Sequence, residues 1–326
     1  VPSLTCLFVL IFVPESPRWL IGKDRHEEAL EVLAVVNSGG DKADPVVLLQ
    51  YREIADTIAW EKTEGRQLSF KEAYTNPANR KRLIIAISFS AMVMLPGTNI
   101  ITYYFGTMLE QAGITSPTTQ LEINIILTAW SLVIGVVASF FADQVGRKLL
   151  CSLSLIGQII SFYLVGGLTA AYGTSTNQSG VYATIAGIFL YNGAYAFGIT
   201  PLTVLYPPEV LSYRIRGTGM GLYTMTTKLS GLFVTMVFPF ALDAIGWKTY
   251  IINASFDILM VAFVVWYWVE TKGLTLEEVD VRFDGVKHSS VPDLEDLVEG
   301  KVQKDAVLEG LAIEKVGVSV AGEKKA

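Results

Sequence analysis

The sequence predicts an all-α integral membrane protein, and three observations carry that prediction. Half of its 326 residues are hydrophobic and 17% are charged, with a mean hydropathy of +0.44; a soluble domain carries about 25% charge. The charges are also segregated, since residues 83–269 hold six acids and six bases and the flanks hold the rest. Within that interval six apolar runs are each long enough to cross a hydrocarbon core of about 30 Å, which takes about 20 residues of helix.

The chain opens on "VPSLTCLFVLIFV". This run is too short to span and lacks the basic start and small-residue cleavage site of a signal peptide. The chain does not begin with Met, so residues 1–13 read as the end of a preceding membrane helix. Residues 14–82 form a polar block. In it "DRHEEALEVLAVV" and "VVLLQYREIADTIAWEK" repeat apolar residues at helical spacing, and "NSGGDKADP" separates them as a loop. The six spans follow at roughly 83–108, 120–142, 149–172, 181–206, 218–242 and 247–269. All are rich in Gly, Ser and Thr, which suits close helix packing in lipid. Residues 270–326 are an acidic tail, low in aromatics, with disorder expected beyond about 283.

Orientation follows from Lys and Arg in the short loops. Arg80, Lys81 and Arg82 precede the first span, Arg147 and Lys148 link the second to the third, Arg214 and Arg216 link the fourth to the fifth, and Lys272 follows the sixth. The alternate loops carry Lys248 alone. The linker, the 143–148 and 207–217 links and the tail are therefore expected in the cytoplasm, and the plasma membrane is the expected location. "NQS" at Asn177 sits in a short outer loop and makes a poor glycosylation acceptor; "NAS" at Asn253 falls inside a span.

Composition excludes several functions. Cys6 and Cys151 lie in apolar runs and read as buried small hydrophobes. His26 and His288 stand far from any Cys cluster. The sequence shows no metal spacing, nucleophile elbow or phosphate-cradling loop, so no enzyme and no cofactor is predicted. The net charge of −6 resides in the linker and tail, and no basic face suggests nucleic acid.

Four motifs sit at the ends of these spans. "DQVGRK", Asp143 to Lys148, fills the link between the second and third. "PESPRWL", Pro14 to Leu20, follows the opening apolar run. "PPEVLSYRIRGTGMG" carries Glu209 and Arg216 after the fourth span, and "VETKGLTLEEV" begins with Val269 and Glu270 after the sixth. Together they resemble the sugar porters of the major facilitator superfamily, over about residues 1–285. The resemblance implies the six-helix C-terminal half of that fold, helices seven to twelve, behind the end of helix six and a cytoplasmic helical linker. "YPPEVLSYRIRGTGM" and "IGWKTYII" resemble the fungal lactose-permease and cellodextrin-type branch. Val269 stands where the family motif has proline.

The implied function is transport of a mono- or disaccharide by alternating access, with a lipid bilayer and a missing N-terminal six-helix half as partners. Protons as a second substrate depend on an acid outside this chain, so symport and facilitated diffusion stay open. A transport-dead sugar sensor on the same scaffold and an inactive truncated half are the alternative readings. An integral-membrane enzyme would need a catalytic cluster, which the sequence lacks.

Candidate site residues follow from what sugars require: amides and hydroxyls on a mostly apolar, aromatic wall. In "LPGTNIITYYFG", Pro96 and Gly97 break the first span, and broken helices at mid-membrane are where transporters bind substrate. The resemblance implies that Asn99 contacts sugar and that Tyr103 and Tyr104 form an outer gate. It also implies lost amides, because Val93 and Met94 stand at positions where many sugar porters have a Gln pair. Breaks are expected at Gly198 and Pro201 in the fourth span, where Asn192, Tyr195 and Thr200 are binding candidates; Ala196 and Val204 replace the family's acid and Trp. Thr227 and Lys228 lie deep in the fifth span. A lysine there costs about 2.5–3.5 kcal/mol to insert, so it either faces a wet cavity or pairs with Asp257 at similar depth. Arg18, Asp143, Arg147, Lys148, Glu209, Arg216 and Glu270 are expected to form a cytoplasmic charge network, with Gly146 allowing the tight turn and Asp143 pairing a cation or capping a helix.

Overall fold

The computed structural model describes residues 8–64, 74–98, 105–106, 109–110, 114–172 and 177–285. Ten helices are assigned among them: α1 Pro17–Gly22, α2 His26–Ser38, α3 Pro45–Glu64, α4 Pro77–Met94, α5 Pro117–Val145, α6 Arg147–Tyr172, α7 Gln178–Val210, α8 Tyr213–Ile245, α9 Lys248–Tyr267 and α10 Leu276–Asp284. The chain divides into two compact units, 1–67 with 274–326, and 68–273. Asn99, Tyr103, Tyr104 and the tail beyond 285 lie outside the described residues.

The first unit is built from α1, α2, α3 and α10. Ser16 starts α1 by accepting the Trp19 N–H at 3.2 Å, and Gly39 ends α2 at φ +64°, a left-handed geometry that costs glycine little. The apolar stripes anticipated in both linker segments meet here. Leu20, Ile21, Ala29 and Ile58 form one buried cluster, and Leu33, Ala34 and Val47 a second. The Tyr51 hydroxyl meets His26 Nδ1 at 2.9 Å. Thr275 and Glu278 close a reciprocal cap at the start of α10, and the Thr275 hydroxyl reaches the buried Glu53 carboxylate at 3.5 Å.

The second unit is a helical bundle, α4 to α9. Among the described residues α5, α6, α7, α8 and α9 are long and apolar enough to cross a membrane. The first expected span is represented by α4, which starts at an Asn76 cap and stops at Met94; Gly97 follows at φ +104°. Helices α5 to α8 outrun their expected spans while α9 falls just short of its own, and α7 and α8 reach 33 residues each, about 50 Å at 1.5 Å per residue.

Small residues fix the crossing of α6 and α7. A Cβ on Gly157 would lie 2.9 Å from Ala194 Cβ, and one on Gly198 would lie 2.4 Å from Ser154 Cβ. The expected break at Gly198 and Pro201 is therefore corrected: α7 runs unbroken through both, and Gly198 serves close approach instead. Asn177 is occupied as the cap of α7, accepting the Ser179 N–H at 3.1 Å. Above that crossing Phe162 stacks on Tyr191 with centroids 4.2 Å apart. Burial is uneven around the bundle. Over its most apolar window 56% of α6 is buried, against 17% for α5 and for α8, so among the described residues these two helices expose broad apolar faces.

Candidate functional site

The turn between α5 and α6 is a single residue, Gly146, at φ +96°. The reason for glycine is geometric: a Cβ there would lie 2.8 Å from Glu270 Oε2. The Glu270 carboxylate occupies that space to cap α6. It accepts the backbone N–H groups of Arg147 at 2.8 Å and Lys148 at 3.0 Å, where the helix dipole favours a negative charge. It also accepts the N–H groups of Thr271 and Lys272, each at 3.0 Å. Of the two roles expected for Asp143, pairing a cation or capping a helix, the capping falls to Glu270 and Asp143 pairs with Arg147.

Arg147 is the hub. Its Nη2 and Nε donate to the two oxygens of Glu209 at 2.9 and 3.1 Å, the planar two-point pairing an arginine fork permits. Asp143 accepts at 2.8 Å from one turn back, with its side chain 80% exposed against 9% for Arg147. Thr271 Oγ1 donates to Glu209 at 2.7 Å, and Lys272 Nζ donates to the Gln144 carbonyl at 2.6 Å. One end of the bundle thus joins α5, α6, α7 and the segment after α9. Arg216 donates to the Leu211 carbonyl at 3.1 and 3.2 Å, and the buried Arg82 reaches the Val210 carbonyl at 3.4 Å; both guanidiniums meet the carbonyl end of α7. Arg18 lies on α1 in the other unit.

An aromatic layer supports this end and was not anticipated from the sequence. Trp268 stacks on Tyr206 with centroids 4.6 Å apart, and Phe89 meets both rings edge-on. The Tyr206 hydroxyl donates to the Val269 carbonyl at 2.9 Å, and Trp268 Nε1 donates to Ser88 Oγ at 3.2 Å.

A second polar constellation surrounds the end of α4. The Tyr191 hydroxyl donates to the Pro96 carbonyl at 2.5 Å, and Tyr195 donates to the Val93 carbonyl at 3.3 Å. These bonds satisfy carbonyls at the helix break, which have no intrahelical partner. Tyr195 is among the expected residues; Tyr191 is not, since a buried tyrosine on an apolar helix reads as packing. Thr227 on α8 bonds Ser90 on α4 at 3.1 Å. Asn192 is half-buried, and Thr200 and Lys228 are exposed. The expected alternative of a Lys228–Asp257 pair is not formed: Lys228 is exposed, and Asp257 is fully buried on α9, accepting from Asn253 Nδ2 at 3.4 Å.

Comparison with known proteins places these features. The family model described as "Sugar (and other) transporter" matches residues 1–283. The chain is 32% identical to the MFS glucose transporter mfs1 of Aspergillus flavus, over 87% of this chain and 56% of that protein. It is 31% identical to the major myo-inositol transporter IolT of Bacillus subtilis, over 88% of this chain and 59% of that protein. Such even similarity to a fungal and a bacterial protein does not single out the fungal branch. Among solved structures, the proton:xylose symporter XylE bound to 6-bromo-6-deoxy-D-glucose superposes with a TM-score of 0.69 at 23% identity, covering 86% of this chain and 57% of that one. The chain spans about half the length of the curated relatives it matches. The fold is that of the six-helix C-terminal half of a major facilitator protein, and the chain is an integral membrane protein of the sugar porter family.

Proposed function

We propose that this chain supplies the C-terminal half of a carrier that moves a small sugar across the plasma membrane by alternating access, working with a second six-helix half. The observation that carries the reading is the Arg147–Glu209–Glu270 cluster. It gathers the ends of four helical segments on the side that the Lys and Arg distribution assigns to the cytoplasm. Each contact can form only while those ends are together, so the cluster biases the bundle toward one access state. A bias of about 1.4 kcal/mol shifts such a two-state balance tenfold.

Sugar binding is assigned to Asn99, Tyr103, Tyr104, Asn192, Tyr195, Thr200, Thr227 and Lys228. The uncovered faces of α5 and α8 are the surfaces that meet the second half. Pro96 and Gly97 supply the hinge, and Tyr191 and Tyr195 hold its carbonyls. Proton coupling is part of the proposal; the symporter named among the structural neighbours supports it.

The test is uptake of a labelled panel of hexoses, pentoses, polyols and disaccharides. The full-length gene product would be expressed in yeast lacking its own sugar carriers, at clamped external pH. Saturable uptake of at least one sugar, faster in acid medium, supports the carrier. Surface expression with no uptake but a sugar-dependent signal supports the non-transporting sensor.

A further inference from the structure

Among the described residues, two buried oxygens of carboxylate or amide type in the bundle lack donors. Asp257 on α9 is fully buried, and Asp257 Oδ1 has no hydrogen-bond partner among the described residues. Gln158 on α6 is also fully buried, and Gln158 Oε1 has no partner either. The orientation of that amide is fixed by its neighbour. Ser154 Oγ spends its proton on the Ala194 carbonyl at 2.7 Å. Both Ser154 oxygens therefore require the amide N–H, which Gln158 Nε2 supplies at 3.1 and 3.3 Å. Rotating the amide would set its oxygen against two acceptors, so Gln158 Oε1 faces away from Ser154.

The register of α6 and α9 brings Gln158 and Asp257 to about one level along the bundle. Phe162 and Tyr250 face each other with ring centroids 5.9 Å apart, and the Tyr163 and Ser255 hydroxyls bond at 2.8 Å. Gln158 lies one turn from Phe162, and Asp257 lies two turns from Tyr250 in the same direction along the bundle. At 1.5 Å per residue the Phe162–Tyr250 contact sets Asp257 about 5 Å beyond Gln158 and the Tyr163–Ser255 bond sets it about 5 Å short, so the two residues lie at about one level along the axis. Ionisable residues inside membranes mark ion paths and proton relays, and a lone carboxylate among apolar neighbours needs a positive partner. A hard metal cation takes about six oxygen ligands; two orphan oxygens suit a proton.

We infer that Asp257 is a proton-binding site, with the proton taken up as a carboxyl O–H that donates to Gln158 Oε1. The reaction is carboxylate plus H⁺ giving carboxylic acid, with no other bond broken. From α7, Tyr191 lies within electrostatic reach of Asp257. Phe162 of α6, Tyr191 of α7 and the apolar Val234 and Phe238 of α8 share one buried cluster with Tyr250 and Ala254 of α9. On α9 itself Asn253 donates to Asp257, and Tyr250 lies two turns away. Because Tyr191 also holds the Pro96 carbonyl, the charge at Asp257 acts on the residue that braces the α4 break. The site thereby couples the proton to the hinge. This consequence rests on the carrier reading; proton binding does not.

Infrared difference spectroscopy of the full-length protein in liposomes, stepped between acid and alkaline buffer, tests the site directly. A carboxylic-acid C=O band should appear on acidification in the wild type and be lost in Asp257→Asn. In Gln158→Leu it should shift, because its hydrogen bond is gone. In the same liposomes the ratio of uptake rates at acid and neutral external pH should fall toward one in Asp257→Asn. A band that persists in Asp257→Asn, or that fails to shift in Gln158→Leu, overturns the proposal. So does a band that responds to Na⁺ at fixed pH and not to protons. If Asp257→Asn does not fold, Gln158→Leu decides. A protein that shows the band but moves no sugar defeats the carrier reading and leaves the site standing.

Discussion

Glu270 and Arg147 are 123 residues apart in sequence, yet the Glu270 carboxylate accepts the Arg147 backbone N–H at 2.8 Å and closes the start of α6. One acidic side chain thus fastens the segment after α9 to the α5–α6 turn. Capping side chains contribute about 0.5–2 kcal/mol. Glu270→Ala should destabilise the purified protein by an amount in that range, read as a lower melting temperature, while sugar affinity measured at equilibrium stays unchanged. A melting temperature equal to wild type would mean the cap contributes nothing.

Gly146→Ala tests the same corner from the other side. The substitution sets a Cβ 2.8 Å from the Glu270 carboxylate and forces alanine to φ +96°. The expected loss is more than about 1 kcal/mol. Gly167→Ala, where nothing lies within 4 Å of the new Cβ, is the control and should melt as wild type or slightly higher.

The two-point Arg147–Glu209 pair needs a planar fork. Arg147→Lys keeps the charge and loses one of the two bonds, each worth about 1.5–3 kcal/mol for a charged group. In the carrier this should reduce the maximal transport rate about tenfold or more, with little change in the substrate concentration for half-maximal rate. A variant whose affinity falls while its maximal rate holds would contradict a gating role.

Tyr191→Phe and Tyr195→Phe should separate in magnitude. The Tyr191 hydroxyl is buried and bonds the Pro96 carbonyl at 2.5 Å, while Tyr195 reaches Val93 at 3.3 Å. Leaving a buried carbonyl without its donor costs about 1–3 kcal/mol. Thermal denaturation should show the larger loss for Tyr191→Phe. Equal losses would remove Tyr191 from its place as the principal brace.

Lys228→Gln should leave the stability within about 0.5 kcal/mol of wild type, the range for exposed substitutions away from packed features, because Lys228 is exposed and does not pair with Asp257. Its effect should appear in substrate binding, read by equilibrium titration. Lost folding with unchanged affinity would reverse the assignment.

The membrane helices and their charged ends were legible because they are written in composition and local spacing. Apolar runs, loop charges and the motif around Gly146 each fall within a few residues of one another. What escaped was azimuth and long-range pairing. Lys228 and Asp257 share a depth, but depth does not say which face a residue takes; Asp257 turns into the core and Lys228 does not. Gly198 and Pro201 suggested a bend, whereas the glycine is needed for Ser154 to approach and the helix absorbs the proline. Glu270 as a cap and Tyr191 as a brace depend on partners about a hundred residues away, which no local pattern encodes.

Counterflow tests the central claim most directly. Liposomes holding the purified full-length protein are loaded with a high concentration of unlabelled sugar and diluted into a trace of the labelled form. A carrier that exposes its site alternately to each side predicts a transient accumulation of label above its equilibrium level, reduced in Arg147→Lys. Binding of the sugar with no such overshoot would contradict alternating access.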